Sequence, residues 1–161
     1  MTMFNVLFLC TGNSARSIMA EALLNNAAGD RFKAYSAGSH PAGKVNPHAL
    51  ALLEGAKIST EGLRSKSWDE FAGEDAPIMD FVITVCDRAK GEVCPVWQGQ
   101  PVTAHWGIAD PVARDKDDIQ PYRNALRHLD TRIRLFLELP VEKLERLKLQ
   151  QEMNKIGEIT D

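Results

Sequence analysis

A cysteine, five residues and an arginine form the run Cys10-Thr11-Gly12-Asn13-Ser14-Ala15-Arg16-Ser17, between an apolar stretch and a helix-forming one. In such a turn successive backbone N–H groups can converge on a tetrahedral anion, and the start of the following helix adds partial positive charge. Arg16 carries a planar guanidinium that binds two oxygens of such an anion at once. The same field favours the thiolate of Cys10, its nucleophilic form, and is expected to lower its pKa. Gly12 lets backbone approach a ligand closely, and Asn13 tolerates a left-handed conformation. Thr11, Gly12, Asn13, Ser14, Ala15 and Arg16 are therefore the expected oxyanion-binding residues around Cys10. A Cys-x5-Arg spacing alone is common by chance; its place between a buried strand and a helix makes it specific.

Those residues need a strand to deliver them and a helix to follow. Phe4-Asn5-Val6-Leu7-Phe8-Leu9 is apolar and β-prone, as a strand covered on both faces is. Met19, Ala22, Leu23 and Ala27 recur at helical spacing, with Gly29 as a C-terminal stop. Phe32 to Ala37 predicts a second strand ending at Gly38. Asn46-Pro47 predicts an N-cap and first helical residue for a helix running to about Lys57. Phe81 to Val85 predicts a third strand, and Val102 to Ala104 a short fourth. Ile119, Tyr122, Leu126, Leu129, Ile133 and Phe136 form one face of a long helix that Pro140 stops. The order β-α-β-α-β-β-α, with short connections, predicts an α/β fold: an open parallel sheet covered by helices on both sides.

Composition narrows the function classes. Charged residues at 25% and hydrophobic ones at 44% are ordinary for a globular domain, which argues against disorder. A net charge of −3 gives no general electrostatic case for nucleic acid or membrane as partner. No apolar stretch approaches the roughly 18 residues of a membrane span. Val6 to Cys10 is too short for a signal-peptide core. Three cysteines, an odd number, argue against a disulfide-stapled secreted scaffold. A cytoplasmic protein is expected. The charged segment from Val141 to Asp161, with Leu144, Leu147 and Leu149, predicts a terminal helix laid on the domain, a dimer contact being the alternative.

The run from Val6 to Ser17, with Met19-Ala20-Glu21-Ala22 behind it, resembles the low-molecular-weight protein-tyrosine-phosphatase superfamily. Within it the chain is most similar to the thioredoxin-coupled arsenate reductases. The similarity runs from Phe4 to about Leu139, and the tail exceeds the usual family core. It implies a four-stranded parallel sheet with flanking helices, as a catalytic domain over 1–140 and a helical extension over 141–161. It further implies that Cys10 is the nucleophile, Arg16 binds the oxyanion, Ser17 holds the thiolate by a hydrogen bond and Asn13 braces the loop.

Phosphate and arsenate are near-isosteric, so both activities of the superfamily use the same loop. A phosphatase acting on phosphotyrosine or small phosphate esters needs a general acid, and Asp110-Pro111 resembles the family's Asp-Pro acid. Val112-Ala113-Arg114 follows it without the aromatic residues of the eukaryotic-type phosphatases, and Ala15 stands where those carry a second loop cysteine. A reductase needs thiols: one to attack arsenate, a second to attack the first, and a third to carry the disulfide outward. The resemblance gives these parts to Cys10, Cys86 and Cys94. Val82-Ile83-Thr84-Val85-Cys86 and His105-Trp106-Gly107 look like the reductase branch. Seven residues separate Cys86 from Cys94, which leaves thioredoxin and glutathione–glutaredoxin both open as external reductants. No bound cofactor is expected. Asn13, Glu21 and Ser36 match a potassium site of some relatives, but Trp68 stands where an aspartate is expected, so no metal is predicted.

Overall fold

The computed structural model describes residues 3–86, 95, 97–111 and 117–159. Its strands are β1 (Phe4–Leu9), β2 (Phe32–Ala37), β3 (Phe81–Thr84) and β4 (Val102–His105). Its α-helices are α1 (Arg16–Ala27), α2 (Pro47–Gly55), α3 (Gln120–Leu137) and α4 (Arg146–Gly157). The strands form one parallel sheet in the order β2-β1-β3-β4. The α/β fold and its open four-stranded sheet are thus as expected.

β1 is interior to the sheet, which explains its unbroken apolar run: Val6, Leu7, Phe8 and Leu9 are all buried. Side chains alternate between faces. Val6 and Phe8 join a large core with Phe81, Ile83, Leu24, Leu53, Leu129 and Met153, to which all four α-helices contribute. Leu7 and Leu9 face the other way, onto Val82, Phe71 and the partly buried Trp68 and Trp97. Helices on both faces are expected from the element order; among the described residues the second face is covered by the short 3-10 turn Trp68–Phe71 and its aromatic neighbours. Phe136 fixes α3 to the sheet, its ring centroid 4.7 Å from Phe32 and 5.1 Å from Phe81. Burying one such ring contributes about 1.5–3 kcal/mol.

Helix boundaries follow local chemistry. Asn46 caps α2 by accepting from the His48 amide at 2.8 Å, with Pro47 at the first helical position. α2 stops at Gly55, short of Lys57, which itself takes a left-handed φ of 61°. β3 closes at Thr84, level with Leu9 of β1, so Cys86 belongs to the loop beyond the strand.

α4 runs beside the edge strand β4. Arg146 donates to the Pro101 carbonyl at 3.1 Å, Gln150 donates to the Thr103 carbonyl, and the Trp106 indole donates to the Met153 carbonyl at 3.1 Å. A helix laid there covers unpaired edge groups that would otherwise recruit another strand. Leu149, Met153 and Ile156 enter the main core, whereas Leu147 is 72% exposed. Among the described residues no helix is long and apolar enough to cross a membrane.

Candidate active site

All four strands point their carboxyl ends to one edge, where open α/β sheets place their ligands. Cys10 follows β1 there, and its amide still donates to the Ala37 carbonyl at 3.2 Å. Beyond it the chain is bent into a cradle by bonds from the segment at 40–46. The carbonyls of Thr11, Gly12 and Ser14 accept from the amides of His40, Ala42 and Asn46 at 2.9, 2.9 and 2.8 Å. In a trans peptide the N–H points opposite to the C=O. Pinning those carbonyls outward therefore turns the amides of Gly12, Asn13 and Ala15 inward, as anion binding requires. Asn13 makes the turn with φ 43°, the left-handed geometry expected for it. Its Oδ1 accepts from the Lys66 amide at 2.9 Å, and its Nδ2 donates to Ser17 Oγ at 2.8 Å.

The cradle opens into a cavity of about 560 Å³, whose lining includes Cys10, Arg16, Cys86 and Asp110. Arg16 does not float over the loop. It donates to the Ile108 carbonyl at 2.9 Å, and its Nη2 lies 3.8 Å from Asp110 Oδ1. Asp110 is exposed at the mouth, while the Arg16 side chain is mostly buried. The structure thus brings together Cys10, Arg16, Cys86 and Asp110 from three separate parts of the chain. Cys94 lies outside the described residues.

Cys86 is buried against the loop. The Thr11 amide, expected among the oxyanion donors, donates to Cys86 Sγ at 3.4 Å, and Thr11 Oγ1 sits 3.8 Å from the same sulfur. A second contact of Cys86, with Cys10 itself, reverses one expectation. The Cys10 thiol is pushed well above its ordinary pKa, first by its hydrogen bond with Cys86 and then by burial. Arg16 and the Gly12 amide pull the other way and do not prevail. Two adjacent buried thiols do not ionise independently, because the first negative charge disfavours the second. Replacing Cys86 by alanine removes the largest cause of the rise, so the Cys10 pKa falls and its thiolate fraction at neutral pH grows. Iodoacetamide labelling of Cys10, followed by mass spectrometry across a pH series, should therefore accelerate at lower pH in Cys86→Ala than in wild type. An unmoved midpoint would show that the thiols are not coupled.

Ser17, expected to hold the Cys10 thiolate, is fully buried with its Oγ receiving the Asn13 amide proton. Several site residues carried no functional signal in the sequence. Tyr122 and Asn46 line the cavity and are joined by an Asn46 Nδ2 to Tyr122 Oη bond of 3.2 Å. In the sequence they are simply a helix-stripe residue and an N-cap. His40 also lines the cavity. Lys66 and Gly38 support the loop from outside it, through backbone contacts that no spacing announces.

A buried strand, a cysteine turn pinned by backbone bonds and a helix opening at its arginine define the class: an α/β protein built around a cysteine–arginine loop at the carboxyl edge of its sheet. The chain belongs to the low molecular weight phosphotyrosine protein phosphatase family, whose model matches residues 5–152. That match extends into α4. An arsenate reductase of Bacillus cereus (strain 03BB102) is 36% identical over 134 residues, 83% of this chain and 94% of that protein. The crystal structure of arsenate reductase from Archaeoglobus fulgidus has a TM-score of 0.66 at 31% identity, covering 83% of this chain and 99% of that one. A thioredoxin-dependent arsenate reductase from Corynebacterium glutamicum has a TM-score of 0.60 at 29% identity, covering 82% of this chain and 59% of that one.

Proposed function

We propose that this protein is an arsenate reductase that passes electrons through Cys10, Cys86 and Cys94. The observation that carries this reading is Cys86, a second thiol buried against the nucleophile's own loop. The Cys10 sulfur attacks arsenic and one oxygen leaves as water, carrying off the thiol proton and a proton from the Asp110 carboxyl, to leave a Cys10 sulfur–arsenic bond. Arg16 and the inward amides of Gly12, Asn13 and Ala15 hold the remaining oxygens. The Cys86 thiolate then attacks Cys10 Sγ. The sulfur–arsenic bond breaks, its electron pair stays on arsenic, and arsenite leaves behind a Cys10–Cys86 disulfide. Attack by Cys94 on Cys86 frees Cys10 and moves the disulfide to Cys86–Cys94. An external dithiol reduces it, and similarity to the Corynebacterium glutamicum enzyme makes thioredoxin the first one to test.

Arsenate-dependent NADPH consumption decides the matter, with thioredoxin plus its reductase in one arm and glutaredoxin plus glutathione in the other. Turnover is expected in at least one arm, and mass spectrometry after a single turnover should find Cys86 joined to Cys94. No turnover in either arm would overturn the reading. A second reading, hydrolysis of phosphate monoesters with Asp110 as general acid, draws support from the Asp110–Arg16 pair at the cavity mouth.

A further inference from the structure

Among the described residues five polar or charged side chains are buried, and four of them, Asn13, Ser17, Ser36 and Lys66, form one cluster behind the Cys10 loop. At its centre is the Lys66 side chain, only 7% exposed. Its ammonium donates to the Arg64 carbonyl at 2.9 Å and to Ser36 Oγ at 3.5 Å, and lies 3.6 Å from Glu21 Oε1. Ser36 in turn donates to the same Glu21 oxygen at 2.6 Å. Glu21 stands on α1, the helix that Arg16 opens, and Ser36 on β2. The backbone of the same lysine faces the loop: its N–H donates to Asn13 Oδ1 at 2.9 Å and its carbonyl accepts from Gly38 N at 2.9 Å. One residue thus joins α1, β2 and the left-handed turn of the loop.

A buried charge is costly to desolvate and is not needed to stabilise a fold. Burial lowers the Lys66 pKa, and Glu21 opposes part of that drop. Three oxygens from Glu21, Ser36 and Arg64 meeting one cation are also a donor set that a small free cation accepts. Here the cation is tethered to the chain.

We propose that Lys66 is a positioning residue whose ammonium acts as a built-in cation for the oxyanion loop, so that the loop keeps its binding shape without any dissolved monovalent ion. The ammonium holds the Glu21–Ser36 pair, which fixes the Lys66 backbone, which fixes Asn13 and through it Ser17 and the inward amides. The inference rests on the loop's binding an oxyanion, as proposed above, and it is separable from the reductase reading because inorganic phosphate serves as the probe.

Phosphate affinity and arsenate turnover are measured at constant ionic strength in sodium, potassium, ammonium and choline chlorides. Wild type should give the same values in all four salts. Lys66→Ala, with native circular dichroism, should lose phosphate affinity by about tenfold, the scale for removing a partner that orients binding groups. The loss should fall on KM more than on kcat, and ammonium or potassium, but not choline, should restore most of it. Because wild type itself is one arm, the proposal stays testable even where the variant folds poorly. Potassium-specific activation of wild type, unchanged phosphate affinity in Lys66→Ala, or a loss that no small cation relieves would each overturn it. Phosphate binding without arsenate turnover in wild type would instead overturn only the reductase reading.

Discussion

Cys86→Ser is expected to abolish arsenate reduction, by on the order of 10³-fold or more in kcat, the scale of removing a covalent participant. Hydrolysis of p-nitrophenyl phosphate, which needs only Cys10, Arg16 and an acid, should survive in the same variant. The split follows from the site. Cys86 lines the cavity and accepts from the Thr11 amide, while the groups assigned to the anion are Arg16 and the amides of Gly12, Asn13 and Ala15. Serine keeps the size and the hydrogen bond but has no sulfur to form a disulfide, so the Cys10–arsenic adduct has no partner to displace it. Single-turnover assays should find arsenic retained on Cys10 instead of released arsenite. Full arsenate turnover by Cys86→Ser would end the three-thiol relay and leave Cys86 a packing residue.

Gly38→Ala is expected to damage the same site from a residue that never touches substrate. A Cβ at Gly38 would collide with the Thr11 carbonyl, stand 2.6 Å from the Cys10 carbonyl and 3.0 Å from Asn13 Cβ. These are backbone atoms and a buried side chain, with no flexible end to swing aside. Retreat is blocked on the other side too, because Gly38 is held by bonds to the Lys66 carbonyl and the Trp68 amide, each 2.9 Å. The Cys10 loop must therefore shift. A displacement near 1 Å in a catalytic loop costs about 10²-fold in rate, read as kcat/KM for either substrate. Overpacking should also lower unfolding free energy by about 1–3 kcal/mol in a denaturant titration. Wild-type kcat/KM in Gly38→Ala would mean that the loop tolerates the shift and that its shape is not critical.

What the sequence makes legible divides along physical lines. β1, β2 and the end of α1 are readable to within a residue or two, because an apolar run, helical spacing and a stop glycine are written in adjacent residues. The turn at Cys10 was readable for the same reason, down to the left-handed Asn13. Cys86 could be placed at the ligand-facing edge, since a strand's end is a local feature. Tyr122, Asn46 and His40 were not visible as cavity residues, because each has an ordinary local role and meets the loop only after distant segments dock.

The sequence by itself determined the sheet's element order, the cysteine–arginine turn and a supply of three thiols, all set by residues close along the chain. Tertiary structure decided how those parts act. It set Cys86 against a loop 75 residues away, turned Arg16 onto Ile108 and Asp110, and bound Asn13 to the backbone of a lysine whose ammonium is buried. It also set a second thiol beside Cys10 and buried both, and these raise the Cys10 pKa against the loop amide and Arg16 that lower it.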